Sequence, residues 1–369
     1  MKYIGMDVHI RNSYLHITDE QGQVFGRGRC GNTFLELREF LEDLEGESVR
    51  VCLESTTNSR AVRQLVLRCG QDVGADVTVD VLHARKLRII AESVTKCDRL
   101  DAQVINELAR SNLKLPVCYM PDDEEFALRE HLRARSDLVG IRTMLKNRIH
   151  AVLHRRGILT PAKLDLFARA GRLFLDQADL DEAGRTILTR YLSEMDHIDA
   201  TIDESTQSLK ELARRPRWSK PAALLQTVPG IGLITSLTIL AELGDLRRFH
   251  RRAAVANYAG LVPVIRLSDE AGYSGGITRR GSNHLRQVLA EAAWVAVGRV
   301  PSYAALFDRV SRRRGRQRAI IGVARQMLED AWTILRKDEA FRYVDPPETE
   351  EPAGESRCDS KEVASSVAG

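Results

Sequence analysis

The chain has 369 residues, enough for two or three domains with sizeable cores, and its net charge is only +4 although charged residues make up 29% of it. This near balance excludes a protein that is basic along its whole length. The six cysteines are scattered without a Cys-x-x-Cys pair, no signal peptide opens the chain and no apolar run reaches the ~18 residues of a membrane span, so we expect a cytoplasmic protein without a zinc site, a disulfide framework or a membrane anchor.

Residues 1–115 carry the pattern of an α/β domain. The predicted elements are strands at 3–8, 13–18 and 24–29, a helix from a cap at Asn32 or Thr33 to Leu44, a strand at 49–54, a helix at 60–69, a strand at 77–82 and a helix to about Ala109. Three antiparallel strands followed by alternating helices and strands are the element order of an RNase H-like domain.

Four carboxylates occupy related places in this order. Asp7 lies on the first, central strand, Glu54 ends the fourth strand beside it, and Asp98 and Asp101 lie on one face of the closing helix. A carboxylate in an apolar central strand is costly unless it is paired or metal-bound, and clustered carboxylates suit Mg²⁺ or Mn²⁺. The pattern predicts a metal site; a solvated acid pair on the helix and an edge-strand aspartate are the alternatives.

Residues 122–215 read as two long amphipathic helices, over about 122–156 and 181–214, with apolar residues recurring near every 3.5 positions. This pattern predicts an antiparallel hairpin or a dimerising coiled coil, and a compact helical bundle within one subunit fits it equally well. Basic residues accumulate at the end of the first helix, namely Lys146, Arg148, His150, His154, Arg155 and Arg156.

Pro216 to Pro221 marks the start of a third, helical domain, predicted over 216–342. In it, Pro229-Gly230-Ile231-Gly232 between two helices is typical of a helix-hairpin-helix turn. The two glycines would bring backbone N–H groups close to a DNA phosphate beside a helix N-terminus. The alternative is an ordinary turn between two helices with a glycine cap.

Arginine clusters follow on what reads as glycine-rich loop: Arg279 and Arg280, and then Arg312, Arg313, Arg314 and Arg316 ahead of a last helix at about 319–335. Arginines in this setting are typical of phosphate binding, although a merely solubilising surface has the same composition. Residues 343–369 are rich in Pro, Glu, Ser and Ala, and we interpret them as a disordered acidic tail.

Taken together, the motifs carry a resemblance that spans residues 1–340. GMDVH, CLEST and KCDRLDA contain the four acids, and LLQTVPGIGLITSLTILAELGD and YAGLVPVIRLSDEAGYSGGITRRGSNHLRQVLAEAAW lie in the C-terminal half. The sequence resembles the DEDD transposases of the insertion sequence one-ten family, which are relatives of the Piv-type DNA invertases.

The resemblance implies a RuvC-like N-terminal domain in which Asp7, Glu54, Asp98 and Asp101 bind Mg²⁺ or Mn²⁺ and a C-terminal transposase domain with a nucleophilic serine. The family carries that serine in the loop between LVP and IT, and by loop length Ser268 takes its place. Family members usually have glycine after the serine, whereas Asp269 and Glu270 follow here. Ser274, which does precede glycines, is the second candidate.

The resemblance further implies that the protein cuts and rejoins DNA through a serine-phosphate intermediate. It implies a homo-oligomer, a dimer or tetramer, in which acids and serine come from different subunits. It also implies a structured bridge RNA that pairs with donor and target DNA. The rival hypotheses are a Piv-type invertase, a metal-dependent nuclease of the Holliday-junction type in which water attacks, and a non-catalytic nucleic-acid-binding protein.

Overall fold

A computed structural model describes residues 1–84, 86, 98–111, 113–266, 273–278 and 281–342, with the side chains of 98–100, 264–266 and 273–275 left out of the description. The chain divides into two compact units, Met1–Asp122 and Asp123–Gly369. Within the described ranges, no helix combines the length and the apolar character that crossing a membrane requires.

The first unit is built on one mixed sheet of five strands in the order β3-β2-β1-β4-β5. Strand β1 pairs antiparallel with β2 and parallel with β4. Its elements are β1 (Lys2–Val8), β2 (Asn12–Thr18), β3 (Val24–Gly31), α1 (Phe34–Leu41), β4 (Ser48–Glu54), α2 (Ser59–Asp72), β5 (Asp76–Leu82) and α3 (Asp98–Arg110). The predicted strands are confirmed to within about two residues, and the arrangement fits an RNase H-like domain.

Side chains alternate between the two faces of the central strands, as they must in extended chain. Ile4 and Met6 of β1 are fully buried in one core, which also contains Leu37 of α1 and Val66 of α2. The opposite face carries a second, smaller core, in which Cys52 of β4 packs with Ile105 and other residues of α3. Helix α3 therefore covers the face that α1 and α2 leave open.

Helix α3 approaches β1 so closely that only glycine fits beneath it. A Cβ atom on Gly5 would lie 2.1 Å from the carbonyl oxygen of Ala102 and 2.3 Å from the amide nitrogen of Asn106. Because these neighbours are backbone atoms, they could yield only if the whole helix moved. The position of α3 over the sheet is thus set by the missing side chain at Gly5.

The second unit begins with two long helices, α4 (Asp123–His154) and α6 (Glu182–Ala213), with α5 (Arg169–Gln177) between them. Arg135 contacts Thr206 at 2.8 Å and Arg142 contacts Asp199 at 3.2 Å. Partner numbers fall along α6 as they rise along α4, so the two helices pack antiparallel within one chain. The hairpin alternative is what the structure shows; a coiled-coil supercoil stays a prediction.

One large core joins the C-terminal helices to the base of this hairpin. It includes Leu128 of α4 and Leu209 of α6 together with residues of the helices that follow. Those further elements are α7 (Pro216–Gln226), α8 (Leu233–Leu243), α9 (Arg252–Ala259), β6 (Pro263–Arg266), β7 (Tyr273–Ile277), α10 (Asn283–Val297), α11 (Pro301–Arg314) and α12 (Arg316–Lys337). The finer division into a middle region, a transposase domain and a tail stays a prediction.

Two expectations for the second unit were wrong. The segment after Gly260 is not a continuous loop, because β6 and β7 pair antiparallel, with Ile265 opposite Ser274. β-Branched and aromatic residues in these strands favour such pairing. The run 312–318 is not a loop before the last helix either: it ends α11 and begins α12, with only Gly315, at φ 81°, breaking the helix between them.

We predict that Gly5→Ala destabilises the first unit by about 2–3 kcal/mol, because the new methyl group overpacks α3 against β1. Urea denaturation followed by circular dichroism measures the change. Gly26→Ala on β3 is the matched control, since its Cβ would meet only the Cδ1 atom of Ile17 at an ordinary 3.8 Å. Equal stability of the two variants would contradict the close packing.

Candidate active site

Asp7 and Glu54 lie side by side at one edge of the sheet. Strands β1 and β4 are parallel and pair as far as Met6 opposite Leu53, and the two acids are the next residues along each strand. Asp7 follows Gly5 by two residues and Glu54 follows Cys52 by two, so both acids belong to the face that α3 covers. The predicted placement of this pair agrees with the described strands.

Helix α3 carries the other two acids toward the same edge. Asn106 and Ala102 lie over Gly5, and Asp101 and Asp98 precede them by up to two further turns in the direction of the strand ends. Asp98 is the first residue of α3, and Asp101 is half-buried. The side chain of Asp98 lies outside the description.

Asn106 fixes this helix with three side-chain hydrogen bonds. Its Nδ2 donates to the carbonyl oxygens of Tyr3 at 2.7 Å and His16 at 2.9 Å, while its Oδ1 accepts from Thr18 Oγ1 at 2.8 Å. The side chain is buried, so losing any partner would carry a desolvation cost. The sequence held a signal for it that we did not use: an asparagine on the otherwise apolar stripe of Ala102, Ile105 and Ala109.

The other end of α3 is held by a charged side chain of β4. Arg50 donates to Asp80 of β5 at 2.8 Å and to the carbonyl oxygen of Ala109 at 3.2 Å. The hydrogen bond with Asp80 raises the pKa of Arg50 further above its usual value. Cys52 lies between Arg50 and Glu54 on β4. Burial raises the pKa of its thiol to about 12, so Cys52 is a neutral core residue and not a nucleophile.

Asp7 has a partner that sequence reasoning missed. His9 Nε2 lies 3.3 Å from Asp7 Oδ2, with the histidine side chain 46% exposed and the aspartate only 14%. The GMDVH motif contains both residues, and their spacing of two was the available signal. A mostly buried carboxylate beside an exposed imidazole places this acid at the rim of the sheet, open to solvent on one side.

The four acids are suited to a divalent cation by chemistry, since carboxylate oxygens are the ligands that Mg²⁺ and Mn²⁺ prefer. Among the side chains that the structure describes, no three of His, Cys, Asp and Glu lie close enough together to hold a metal ion. Asp7, Glu54 and Asp101 are in that described set, and Asp98 is not. The strand ends and the first turn of α3 supply the backbone framework on which such ligands could be carried.

The two candidate nucleophiles belong to the segment around β6 and β7. Ser268 lies outside the described residues, as do Arg279 and Arg280. Ser274 lies on β7 and pairs with Ile265 of β6, but its side chain is not described. The structure thus places Ser274 in a two-stranded sheet.

The two glycines of the predicted hairpin turn have different surroundings. Gly230, at φ 94°, faces α10, where a Cβ would lie 2.4 Å from the carbonyl oxygen of Ala292. It therefore serves packing inside the unit. Gly232 is exposed at the N-cap of α8, makes no side-chain cap and has open space around it. Of the two, Gly232 has the geometry that backbone contact with a phosphate needs.

The arginines at the junction of α11 and α12 are exposed, namely Arg312, Arg313, Arg314 and Arg316. Arg316 lies near the rings of Trp294 and Phe307, at 5.8 and 5.9 Å from their centroids. Three guanidinium groups thus end one helix and a fourth begins the next. The C-terminal end of a helix favours cations, so Arg312 to Arg314 also stabilise α11.

Two protein families match this chain. The family described as "Transposase", a DEDD transposase family of the IS110 type, matches residues 4–156, and the family described as "Transposase IS116/IS110/IS902 family" matches residues 222–308. The first contains all four acids, and the second contains the turn with Gly230, the β6–β7 segment and both serines.

Curated relatives agree with these families. The transposase for insertion sequence element IS1111A of Coxiella burnetii is 27% identical over 253 residues, which are 67% of this chain and 68% of the relative. The transposase for insertion sequence element IS1328 of Yersinia enterocolitica is 25% identical over 80% of this chain and 84% of the relative. The pilin gene-inverting protein of Moraxella bovis is 29% identical over 34% of this chain and 40% of the relative.

The family matches and the relatives identify a DNA transposase or recombinase, and the mixed sheet with its covering helix fits the RNase H-like part of such an enzyme. More particularly, the chain belongs to the IS110-type family of DEDD transposases, as the two family matches together with the relatives show and as the sequence motifs indicated.

Proposed function

We propose that this transposase cuts and rejoins DNA through a serine-phosphate intermediate, with Asp7, Glu54, Asp98 and Asp101 as one site for Mg²⁺ or Mn²⁺. The observation that carries the proposal is the convergence at one sheet edge: Asp7 and Glu54 end neighbouring parallel strands on the face that the acid-bearing helix covers. Family membership supports the reaction class.

The chain's own residues place negative charge at the strand ends, at Asp7 and Glu54. Asp7 is mostly buried and Asp101, on the helix that covers the same face, is half-buried. In the proposed site, carboxylates brought together in this way would repel one another unless a cation lay between them. A divalent ion bound there supplies positive charge next to the scissile phosphate. Through such an ion, the acids would orient a phosphate group that their own negative charge would otherwise repel.

Ser268 is the proposed nucleophile. Its Oγ forms a bond to phosphorus as the bond between phosphorus and a sugar oxygen breaks; the serine proton is lost and the leaving sugar oxygen takes up a proton. Attack by a sugar hydroxyl of another strand then reverses these steps and restores the serine. The register of the family's LVP-to-IT loop supports Ser268 over Ser274.

Binding of the DNA backbone is proposed for the turn that contains Gly230 and Gly232 and for six arginines, namely Arg279, Arg280, Arg312, Arg313, Arg314 and Arg316. The exposure of the α11–α12 arginines and of Gly232 supports this role, whereas the packing of Gly230 limits it to shaping the turn. Such contacts position DNA without reading its sequence.

A bridge RNA would supply the sequence specificity that these contacts lack, and a homo-oligomer would bring acids and serine together from different subunits. Both parts of the proposal come from the family resemblance; the basic end of α4 near Arg155 is the proposed RNA contact.

The similarity to a pilin gene-inverting protein favours a second candidate, a site-specific invertase. Sequencing the DNA that flanks the gene separates them: element ends beside a structured noncoding segment support the first.

Asp7→Asn or Asp101→Asn should lower DNA cleavage in Mg²⁺ by at least about a hundredfold, the scale on which the loss of one electrostatic stabiliser acts, and leave DNA binding intact. A cleavage assay and a gel-shift assay measure the two effects. Asp72→Asn is the control, because Asp72 pairs with Arg38 on α1, away from the strand ends. Near-normal cleavage by Asp7→Asn or Asp101→Asn would contradict the proposed metal site.

Ser268→Ala should assemble on DNA yet give neither a covalent adduct nor a recombinant product, because its side chain has no oxygen to attack phosphorus. Suicide DNA substrates followed by mass spectrometry of the adduct show which residue is joined to DNA. Ser274→Ala should keep at least part of the activity. An adduct that vanishes only in Ser274→Ala moves the nucleophile to Ser274, and free ends without any adduct from the wild type favour attack by water.

Replacing Arg312 and Arg313 with Gln should weaken binding to all DNA sequences alike and reduce the salt-dependence slope by roughly one unit per lost phosphate contact. Fluorescence anisotropy at several salt concentrations gives the slope. The control replaces Arg38 and Arg217, since each of these pairs with carboxylates of its own chain. A changed target preference at constant affinity would speak against phosphate contacts.

A further inference from the structure

The loop that follows Asp7 is held by an unusual pair of hydrogen bonds. The carbonyl oxygen of His9 accepts from Nδ2 of Asn32 at 2.8 Å and from Nδ2 of Asn58 at 2.9 Å. Asn32 lies between β3 and α1, and Asn58 lies between β4 and α2. Two amides from separate parts of the unit thus converge on one backbone oxygen, two residues after Asp7, and use both of its lone pairs.

Each amide is itself oriented by a hydroxyl group. Ser13 Oγ donates to Asn32 Oδ1 at 2.6 Å, and Thr56 Oγ1 donates to Asn58 Oδ1 at 3.0 Å. Ser13 is fully buried. Because the amide oxygen of each asparagine is already taken by a hydroxyl, its nitrogen is directed at His9. The network therefore specifies where the loop lies.

Asn58 donates to His9 although its position would ordinarily make it the side-chain cap of α2. It is the N-cap residue of α2, a position where an asparagine side chain ordinarily accepts from the first-turn amides, yet it makes no such cap. Its amide reaches across to the loop after β1 instead. The side chain thereby links the segment four residues beyond Glu54 to the segment two residues beyond Asp7.

We infer that Asn32 and Asn58 are positioning residues that fix the Asp7 carboxylate relative to Glu54 for binding of the divalent ion. The inference rests on the proposed metal site. The pairing between β1 and β4 ends at Met6 and Leu53. Beyond it, Asp7 pairs with Tyr14 of β2 and Glu54 pairs with Leu82 of β5, so strand pairing no longer joins the two acids to each other. The Asn58 amide links the segment after β4 to the segment after β1 where their own pairing has ended, and the Asn32 amide holds the same carbonyl oxygen of His9 from a third segment. Outer-shell hydrogen bonds orient metal ligands in this way.

Asn58→Asp separates positioning from folding. Aspartate has the same shape, still accepts from Thr56 and is as good an N-cap as asparagine, so α2 stays stable. It has no N–H to donate to His9. Asn12→Asp is the matched control. It adds the same charge at the start of β2, and its carboxylate can still accept the hydrogen bond that Asn12 Oδ1 accepts from Arg29 Nε at 3.0 Å.

The measurement is the Mn²⁺ dissociation constant of the full chain, read from the electron paramagnetic resonance signal of free Mn²⁺, with thermal unfolding without metal as the check on folding. Asn58→Asp should raise the dissociation constant at least about tenfold, the effect typical of a lost outer-shell partner, with an unchanged unfolding temperature. Asn32→Ala should raise it too, and Asn12→Asp should leave it within about twofold of wild type, well below that effect.

Each other outcome is decisive. Equal shifts in Asn58→Asp and Asn12→Asp would assign the effect to charge and overturn the inference. Unchanged Mn²⁺ binding in Asn58→Asp, with binding abolished in Asp7→Asn, would overturn the positioning role and leave the metal site standing. Normal Mn²⁺ binding in Asp7→Asn would remove the metal site and the inference together.

Discussion

The close approach of α3 to β1 at Gly5 is the constraint on which the rest of the first unit depends. No side chain separates the backbone of Ala102 from the central strand, so the helix lies at a fixed height over the sheet. Asn106 then fixes its position along the strands by bonding to Tyr3 and His16. With height and position set, the first turn of α3 must lie toward the ends of β1 and β4, where Asp7 and Glu54 are.

The elements of this unit could be predicted from sequence because their signals are local. Alternation along β1 and β4 and the apolar stripe of α1 follow from the period of each element and from burial on one side. The same patterns allowed Asp7 and Glu54 to be placed on neighbouring strands. The network around His9 could not be predicted, since Asn32 and Asn58 meet only after three distant segments have folded together.

In the C-terminal part, local patterns predicted most helices but misread the run 312–318, and they did not reveal the packing of Gly230. Arg312 to Arg318 looked like a loop because charge and Gly315 dominate the composition, yet arginine is a good helix former and one glycine breaks only one turn. Gly230 looked like a phosphate contact but packs against Ala292. A glycine in a turn between helices has both uses, and only the neighbour across the turn distinguishes them.

The acids and the serine of the candidate site differ in how well the sequence alone identifies them. An acid in the central strand conflicts with its apolar neighbours, and that conflict is visible in the sequence around Asp7 and is relieved only by partners such as His9 or by a cation. A serine in a polar segment conflicts with nothing, so neither composition nor spacing singles out Ser268. Its assignment depends on family register, whereas the assignment of Asp7 follows from the cost of burying a charge.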